Sequence, residues 1–118
     1  MKNIVLKYAR ENFGSQPEYL WASDPDSAIL RRGDNSKWYA VLMRIEKNKL
    51  GINSSEKIDV LNVKCDPLLI GSLLHNEGYF PAYHMNKQHW ISIVLDGTVP
   101  ENEILDLLNL SFTMTKRR

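Results

Sequence analysis

The residues best suited to chemistry lie close together in Pro81-Ala82-Tyr83-His84-Met85-Asn86-Lys87-Gln88-His89-Trp90. Imidazole, phenol and indole in one short run can ligate a metal, move a proton or stack on a flat ligand. Cys65 and Asp66 add a thiol and a carboxylate elsewhere in the chain. A structural zinc site needs four nitrogen or sulfur ligands in closed spacing. Here the ligands are too few and their spacing matches no such pattern, so no metal and no cofactor is expected. Cys65 precedes a helix start, which can lower a thiol pKa, but the neighbouring carboxylate of Asp66 acts in the opposite direction. The end of an apolar strand suits a buried, inert thiol better. The phosphate-cradling glycine motifs, H-E-x-x-H and G-x-S-x-G are absent. The expectation is a protein that is not an enzyme.

Binding chemistry is better represented. One turn region carries Arg31, Arg32 and Lys37 beside Asn35, and a second carries Asn86, Lys87, Gln88 and His89. Cations can touch phosphates, while Asn and Gln can read base edges. Two hairpins contacting DNA through Arg31, Arg32, Lys37, Asn86, Lys87 and Gln88 are one expectation, no stronger on these residues than its alternative. Asp34 dilutes the first patch, and the plain alternative is a pair of ordinary polar turns. The second expectation is a cleft for a small molecule or a protein, built by Lys64, Tyr83, His84 and Trp90. Lys64 is an unexpected polar choice inside an apolar strand, facing solvent or pairing with an acid such as Asp66. Trp38 and Tyr39 can join such a pocket, although aromatic residues usually fill cores.

These side chains must be positioned by regular elements. Val5, Tyr8, Ala9 and Phe13 recur at spacings of three and four, which predicts a helix over about residues 3–12, stopped by Gly14. Residues 28–32 and 37–45 read as strands around the turn Gly33-Asp34-Asn35-Ser36. In the second strand Trp38, Ala40 and Leu42 are expected on one face and Tyr39, Val41, Met43 and Ile45 on the other. Both faces are apolar, as in an interior or doubly covered strand. A polar loop over residues 46–56 leads to a strand over residues 57–65. Asp66-Pro67 then opens a helix as cap and first residue, with Leu69, Ile70, Leu73 and Leu74 as its stripe and Gly78 as its end. Residues 79–85 and 89–95 read as strands around a tight turn at residues 86–88. Pro100 opens a last helix whose Ile104, Leu105, Leu107 and Leu108 face inward, with Phe112 closing the core. The order is α-β-β-β-α-β-β-α: an α+β fold with helices packed on an antiparallel β-sheet.

Composition fits this scheme. The chain has 118 residues, 43% hydrophobic and 25% charged, as expected of one domain over residues 1–118. One cysteine excludes an internal disulfide. No apolar run approaches the ~20 residues needed to span a bilayer, and the N-terminus lacks a signal-peptide core. No membrane partner is expected; the expected location is cytoplasmic and the expected state a monomer. The net charge of +1 is less basic than is usual for a dedicated phosphate binder. The basic cluster Lys116-Arg117-Arg118 is read as a solvated tail.

Several segments in order resemble the MmcQ/YjbR family of small bacterial proteins. They are residues 81–87 followed by His89-Trp90, Asn62-Val63-Lys64-Cys65-Asp66-Pro67, Lys37-Trp38-Tyr39-Ala40, and Glu18-Tyr19-Leu20-Trp21. Relatives often have proline where Leu20 stands. The resemblance covers nearly the whole chain. It implies a CyaY-like or double-wing fold with protruding hairpins, and it makes a DNA-binding or regulatory module that uses the two hairpins as wings the leading expectation. Iron handling is not implied, because the acids of the first helix reduce to Glu11.

Overall fold

The computed structural model describes residues 1–116, so Arg117 and Arg118 of the basic tail lie outside the described residues. The elements are α1 (Lys2–Phe13), β1 (Ala28–Arg31), β2 (Trp38–Glu46), a 3-10 turn (Lys47–Leu50), β3 (Lys57–Lys64), α2 (Pro67–Leu73), β4 (Tyr79–Pro81), β5 (Trp90–Val94) and α3 (Glu101–Met114). Their order is the expected one. The strands form one antiparallel sheet in the order β1-β2-β3-β5-β4.

Local chemistry explains the element ends. Gly14 closes α1 in the left-handed conformation at φ 67°, and the N–H groups of Gly14 and Ser15 bond to Arg10 and Ala9 carbonyls. Asp66 caps α2 by accepting the Leu68 N–H at 2.9 Å, and Pro67 sits at the first position. The helix stops at Leu73 rather than running to Gly78. His75 and Asn76 instead bond back to Ser72 and Leu73 in tightening turns. Gly78 serves a close approach of the backbone. At φ 89° it lets the chain pass Val99, whose Cγ2 would lie 2.5 Å from any Cβ placed there.

One sheet face is backed by helices. Val5 and Ala9 of α1 and Ile104 and Leu108 of α3 pack there with Leu30, Leu42, Leu61, Val63, Ile91 and Ile93. β2 is interior and buried from Tyr39 through Met43, as its two apolar faces imply. The opposite face carries Ile29, Val41, Met43, Ile58, Val60 and Val94. No residue of α1, α2 or α3 belongs to that cluster. Strand and turn residues cover it, including Trp38, Leu50, Phe80, Tyr83 and Met85. We call it the open face.

A β-bulge corrects the expected facing of β2. Leu30 pairs with Ala40, but Arg31 pairs with Trp38, leaving Tyr39 as the extra residue. Tyr39 therefore joins Ala40 and Leu42 on the helix-backed face, fully buried, with its hydroxyl bonding to Ser15 Oγ at 2.7 Å. Trp38 moves to the open face with Val41 and Met43.

The second hairpin also differs from expectation. β4 ends at Pro81, which has no N–H to extend the ladder. The following residues fold across the open face and do not continue as a projecting strand. Two buried polar side chains hold them. Asn62 and Ser92 are cross-strand partners in the row Ile29, Val41, Asn62, Ser92, Phe80, and both are fully buried. Asn62 Nδ2 donates to the Tyr83 carbonyl at 2.9 Å, the Tyr83 N–H donates to Ser92 Oγ at 3.0 Å, and Ser92 Oγ donates to Asn62 Oδ1. Every member of this network is paired, as buried polar groups require. Lys87 Nζ bonds to the Ala82 carbonyl at 2.9 Å, and Cys65 N–H to the His89 carbonyl at 2.8 Å, closing the segment.

Candidate functional site

The open face contains a cavity of about 320 Å³. Val41 and Met43 of β2 form its floor. Trp38 stands at the start of that strand, where the bulge puts it. Trp21, Ser23, Asp24 and Ser27 border the cavity from the segment between α1 and β1, and His84 and Met85 from the folded-back turn. Three stretches of chain distant in sequence therefore converge on one concave, mainly apolar site.

Each wall is locally fixed. Trp21 and Trp38 meet edge to face, with ring centroids 6.0 Å apart and planes at 86°. Two successive turns hold the first wall: Asp24 N–H bonds to the Trp21 carbonyl, and Ser27 N–H to the Asp24 carbonyl. Ser27 Oγ also donates to Asp24 Oδ2 at 2.5 Å. Asp24 is absent from the ion pairs among the described residues. On the other wall His84 has φ 60°, an uncommon conformation for a residue with a side chain, and its ring lies 4.0 Å from that of Tyr83.

The residues expected to bind DNA are placed unevenly. Arg31 is half-buried; its Nε lies 2.9 and 3.0 Å from the two Glu18 carboxylate oxygens, and its guanidinium carbon lies 6.0 Å from the Trp38 ring centroid. Arg32 is not part of an exposed wing, because its side chain is only 7% exposed. It forms a two-pronged pair with Asp34 at 2.9 Å, bonds to the Phe112 carbonyl and lies 4.0 Å over the Phe112 ring. The hydrogen bond to Asp34 stabilises the charged form of Arg32 and raises its pKa. Asn35 likewise bonds inward, to the Thr115 carbonyl. The β1–β2 turn is thus tied to the end of α3. Lys37, Asn86, Lys87 and Gln88 are exposed or half-exposed, and the strand register brings them to the same end of the sheet as Lys64.

The expected cleft is partly assembled. Of Lys64, Tyr83, His84 and Trp90, only His84 lines the cavity. Tyr83 packs in the open-face cluster. Lys64 and Trp90 are cross-strand partners, both half-buried. Lys64 follows Val60 and Asn62 in strand alternation, which accounts for a lysine at this place: it stands on the open face at the strand end. It forms no ion pair with Asp66 among the described residues. Cys65 is fully buried, and burial pushes its thiol pKa up, as expected of an inert cysteine. Among the described residues no group of three or more metal-ligating side chains comes together, and no helix is long and apolar enough to cross a membrane.

Trp21 and Asp24 as site residues, and Asn62 and Ser92 as the tether, lie outside the residues expected from the sequence. Asn62 was open to detection, as an amide inside Val60-Leu61-Asn62-Val63 opposite a serine in an equally apolar strand. Trp21 stands in the motif Glu18-Tyr19-Leu20-Trp21, but neither it nor Asp24 carried a signal of a binding site.

Fold and site together define a small α+β protein with one helix-backed sheet face and one turn-covered, pocketed face. The chain belongs to the YjbR family, whose model matches residues 12–114. It is 44% identical to the uncharacterized protein YyaQ of Bacillus subtilis (strain 168) over 112 residues, 95% of each chain. It is 26% identical to the uncharacterized protein YjbR of Escherichia coli (strain K12) over 80 residues, 66% of this chain and 68% of that one. A crystal structure of a Pseudomonas syringae protein, 41% identical, superposes with a TM-score of 0.95 over 98% of this chain and 99% of that one. The Deinococcus radiodurans protein DR2400, 24% identical, shares the fold at a TM-score of 0.76 over 100% of this chain and 80% of that one. The expected family, the α+β class and the order of elements are borne out, whereas the second hairpin does not protrude.

Proposed function

We propose that this protein is a non-enzymatic binding module that takes a small, largely apolar ligand in the open-face cavity. The observation that carries the reading is the convergence of Trp21, Trp38, His84 and Met85 over a floor of Val41 and Met43. Ligand sites typically have volumes of about 300–1,000 Å³, mainly apolar walls and a few polar groups. The cavity falls at the small end of that range, and Asp24, Ser27 and His84 supply its polar groups. The buried pairing of Asn62 and Ser92 supports the reading, because it holds one wall in place before any ligand arrives. The test is an NMR screen of small aromatic and aliphatic fragments against labelled protein. Signals of Trp21, Trp38, His84 and Met85 should move together, and Val41→Phe, which fills the floor, should abolish the shifts. Fragments that bind only elsewhere, or no binder at millimolar concentration, would overturn the reading.

A DNA-binding or regulatory role is the second reading. Its support is the gathering of Lys37, Lys64 and Lys87 at one end of the sheet; none is in an ion pair among the described residues. Asn86 and Gln88 lie beside Lys87 to touch base edges. Arg31 would contribute less, since Glu18 already neutralises it. Anisotropy titrations with duplex DNA should show affinity falling steeply with salt, and Lys37→Ala and Lys87→Ala should each flatten that slope by about one unit. Binding that is absent at low salt, or insensitive to both substitutions, would exclude it.

A further inference from the structure

We propose that the open-face cavity selects a small organic cation, a methylated or quaternary ammonium group, with Trp21 and Trp38 as its aromatic walls and Asp24 as its counter-charge. This deepens the cavity reading and rests on it.

Three observations support the inference. The two indoles meet at 86° with centroids 6.0 Å apart, so they form a corner. A corner of two aromatic rings suits a rounded cation that lies over a ring face, where the quadrupole is negative, and not against a ring edge, where it is positive. Trp38 already attracts a guanidinium, that of Arg31 at 6.0 Å from its centroid. That cation does not repel a second one strongly, since both Glu18 carboxylate oxygens neutralise it at 2.9 and 3.0 Å.

Among the described residues Asp24 is the cavity's only carboxylate, and no lysine or arginine lines it. The carboxylate is oriented: Ser27 Oγ holds Oδ2, and Oδ1 receives no hydrogen bond among the described residues. Asp24 also makes no ion pair there, His84 included. An oriented carboxylate without a cation, beside two aromatic rings, is the chemistry that recognises an ammonium centre.

The remaining lining favours methylated over bare ammonium. Val41, Met43 and Met85 offer apolar and thioether surface and no further carboxylate. A bare ammonium is compact and strongly hydrated, and it would have to give up that hydration to reach the apolar floor. N-methyl groups carry the charge without donors and gain contact with the methionines.

Choline and its uncharged tert-butyl analogue have nearly the same shape, and titrating both by NMR tests the charge selectivity directly. Choline should bind more tightly by about tenfold, the factor that about 1.4 kcal/mol confers. Asp24→Asn should remove most of that preference while leaving the melting temperature unchanged, and Trp38→Leu should weaken choline more than its analogue. A short peptide carrying trimethyl-lysine forms a second arm. Tighter binding of the peptide than of choline would keep the ammonium chemistry and place its source on a protein side chain. Equal binding of choline and its analogue, unaffected by Asp24→Asn, would overturn the cation inference while leaving the cavity as a ligand site. No shift at Trp21, Trp38 or His84 with any probe or with the fragment set would overturn both.

Discussion

Replacing Ser92 with alanine removes a single oxygen that does two things at the open face. Ser92 Oγ accepts the Tyr83 N–H at 3.0 Å and donates to Asn62 Oδ1, and both Ser92 and Asn62 are fully buried. Alanine fits the space, so little packing is lost, but a backbone N–H and an amide oxygen lose their partner. An unpaired buried group costs about 1–3 kcal/mol; Asn62 is fully buried but Tyr83 only half-buried, so the substitution should cost about 2–4 kcal/mol, less than two full penalties. That is a large share of the ~5–15 kcal/mol that holds a domain together. For a chain of this length it corresponds to a fall in melting temperature of about 8–16 °C. Urea and thermal unfolding followed by circular dichroism would measure the loss. Amide exchange should accelerate most at Tyr83, because the turn covering the sheet is what comes loose. A double-mutant cycle with Asn62→Leu sharpens the test: with both side-chain partners gone, the combined loss should fall short of the sum by about 1 kcal/mol. A Ser92→Ala cost under about 0.5 kcal/mol, the range of an inconsequential surface change, would refute the tether. So would strict additivity.

Four further outcomes follow from the structure. Gly78→Ala forces a side chain into the left-handed region and against Val99, and should cost about 1–3 kcal/mol in urea unfolding. Asp66→Ala removes the α2 cap and should cost about 1 kcal/mol, whereas Asp66→Asn should cost much less. Arg32→Ala should lower the melting temperature by loosening the β1–β2 turn from Phe112, and any loss of DNA affinity should follow that unfolding rather than a changed salt slope. Burial raises the Cys65 thiol pKa in the folded state, so its stabilising share is present below the unfolded value of about 8.5 and is lost as pH rises through and above it. Cys65→Ala should flatten the pH dependence of stability between about pH 8 and 10, and the native thiol should react slowly with Ellman's reagent until the protein unfolds.

The order of elements was legible because each boundary had a local cause. Gly14, Asp66-Pro67 and the alternating strands all act within a few residues of where they stand. The family, too, was visible in short runs such as Asn62-Val63-Lys64-Cys65-Asp66-Pro67. The bulge was not visible, because a single extra residue leaves the apolar composition of β2 unchanged while exchanging the faces of Trp38 and Tyr39. The second hairpin was read as a wing because Tyr83, Met85 and their neighbours suit a strand. What overrides that propensity is a tertiary bond: the Tyr83 N–H goes to a serine side chain and not along the β5 backbone. Arg32 looked like a surface cation for the same reason. Its partner Phe112 is distant in sequence, and no local pattern announces a guanidinium lying over that ring. The cavity lay beyond reach because Trp21, Trp38 and His84 become neighbours only when the chain between them folds.

The chain before β1 has a consequence for solubility. A four-residue strand at the margin of a sheet usually exposes hydrogen-bonding groups that another chain can extend. Here the outward N–H and C=O of Ile29 both bond to Glu18 at 3.0 Å, the Ser27 N–H is taken by Asp24, and the Arg31 carbonyl by Ser15 Oγ. The protein seals its own margin, so growth of the sheet into a fibril from this side requires residues 15–27 to peel away first. That same stretch carries Trp21 and Asp24. A ligand gripping those two residues would clamp the seal, and occupancy of the cavity would then set how readily the chain aggregates.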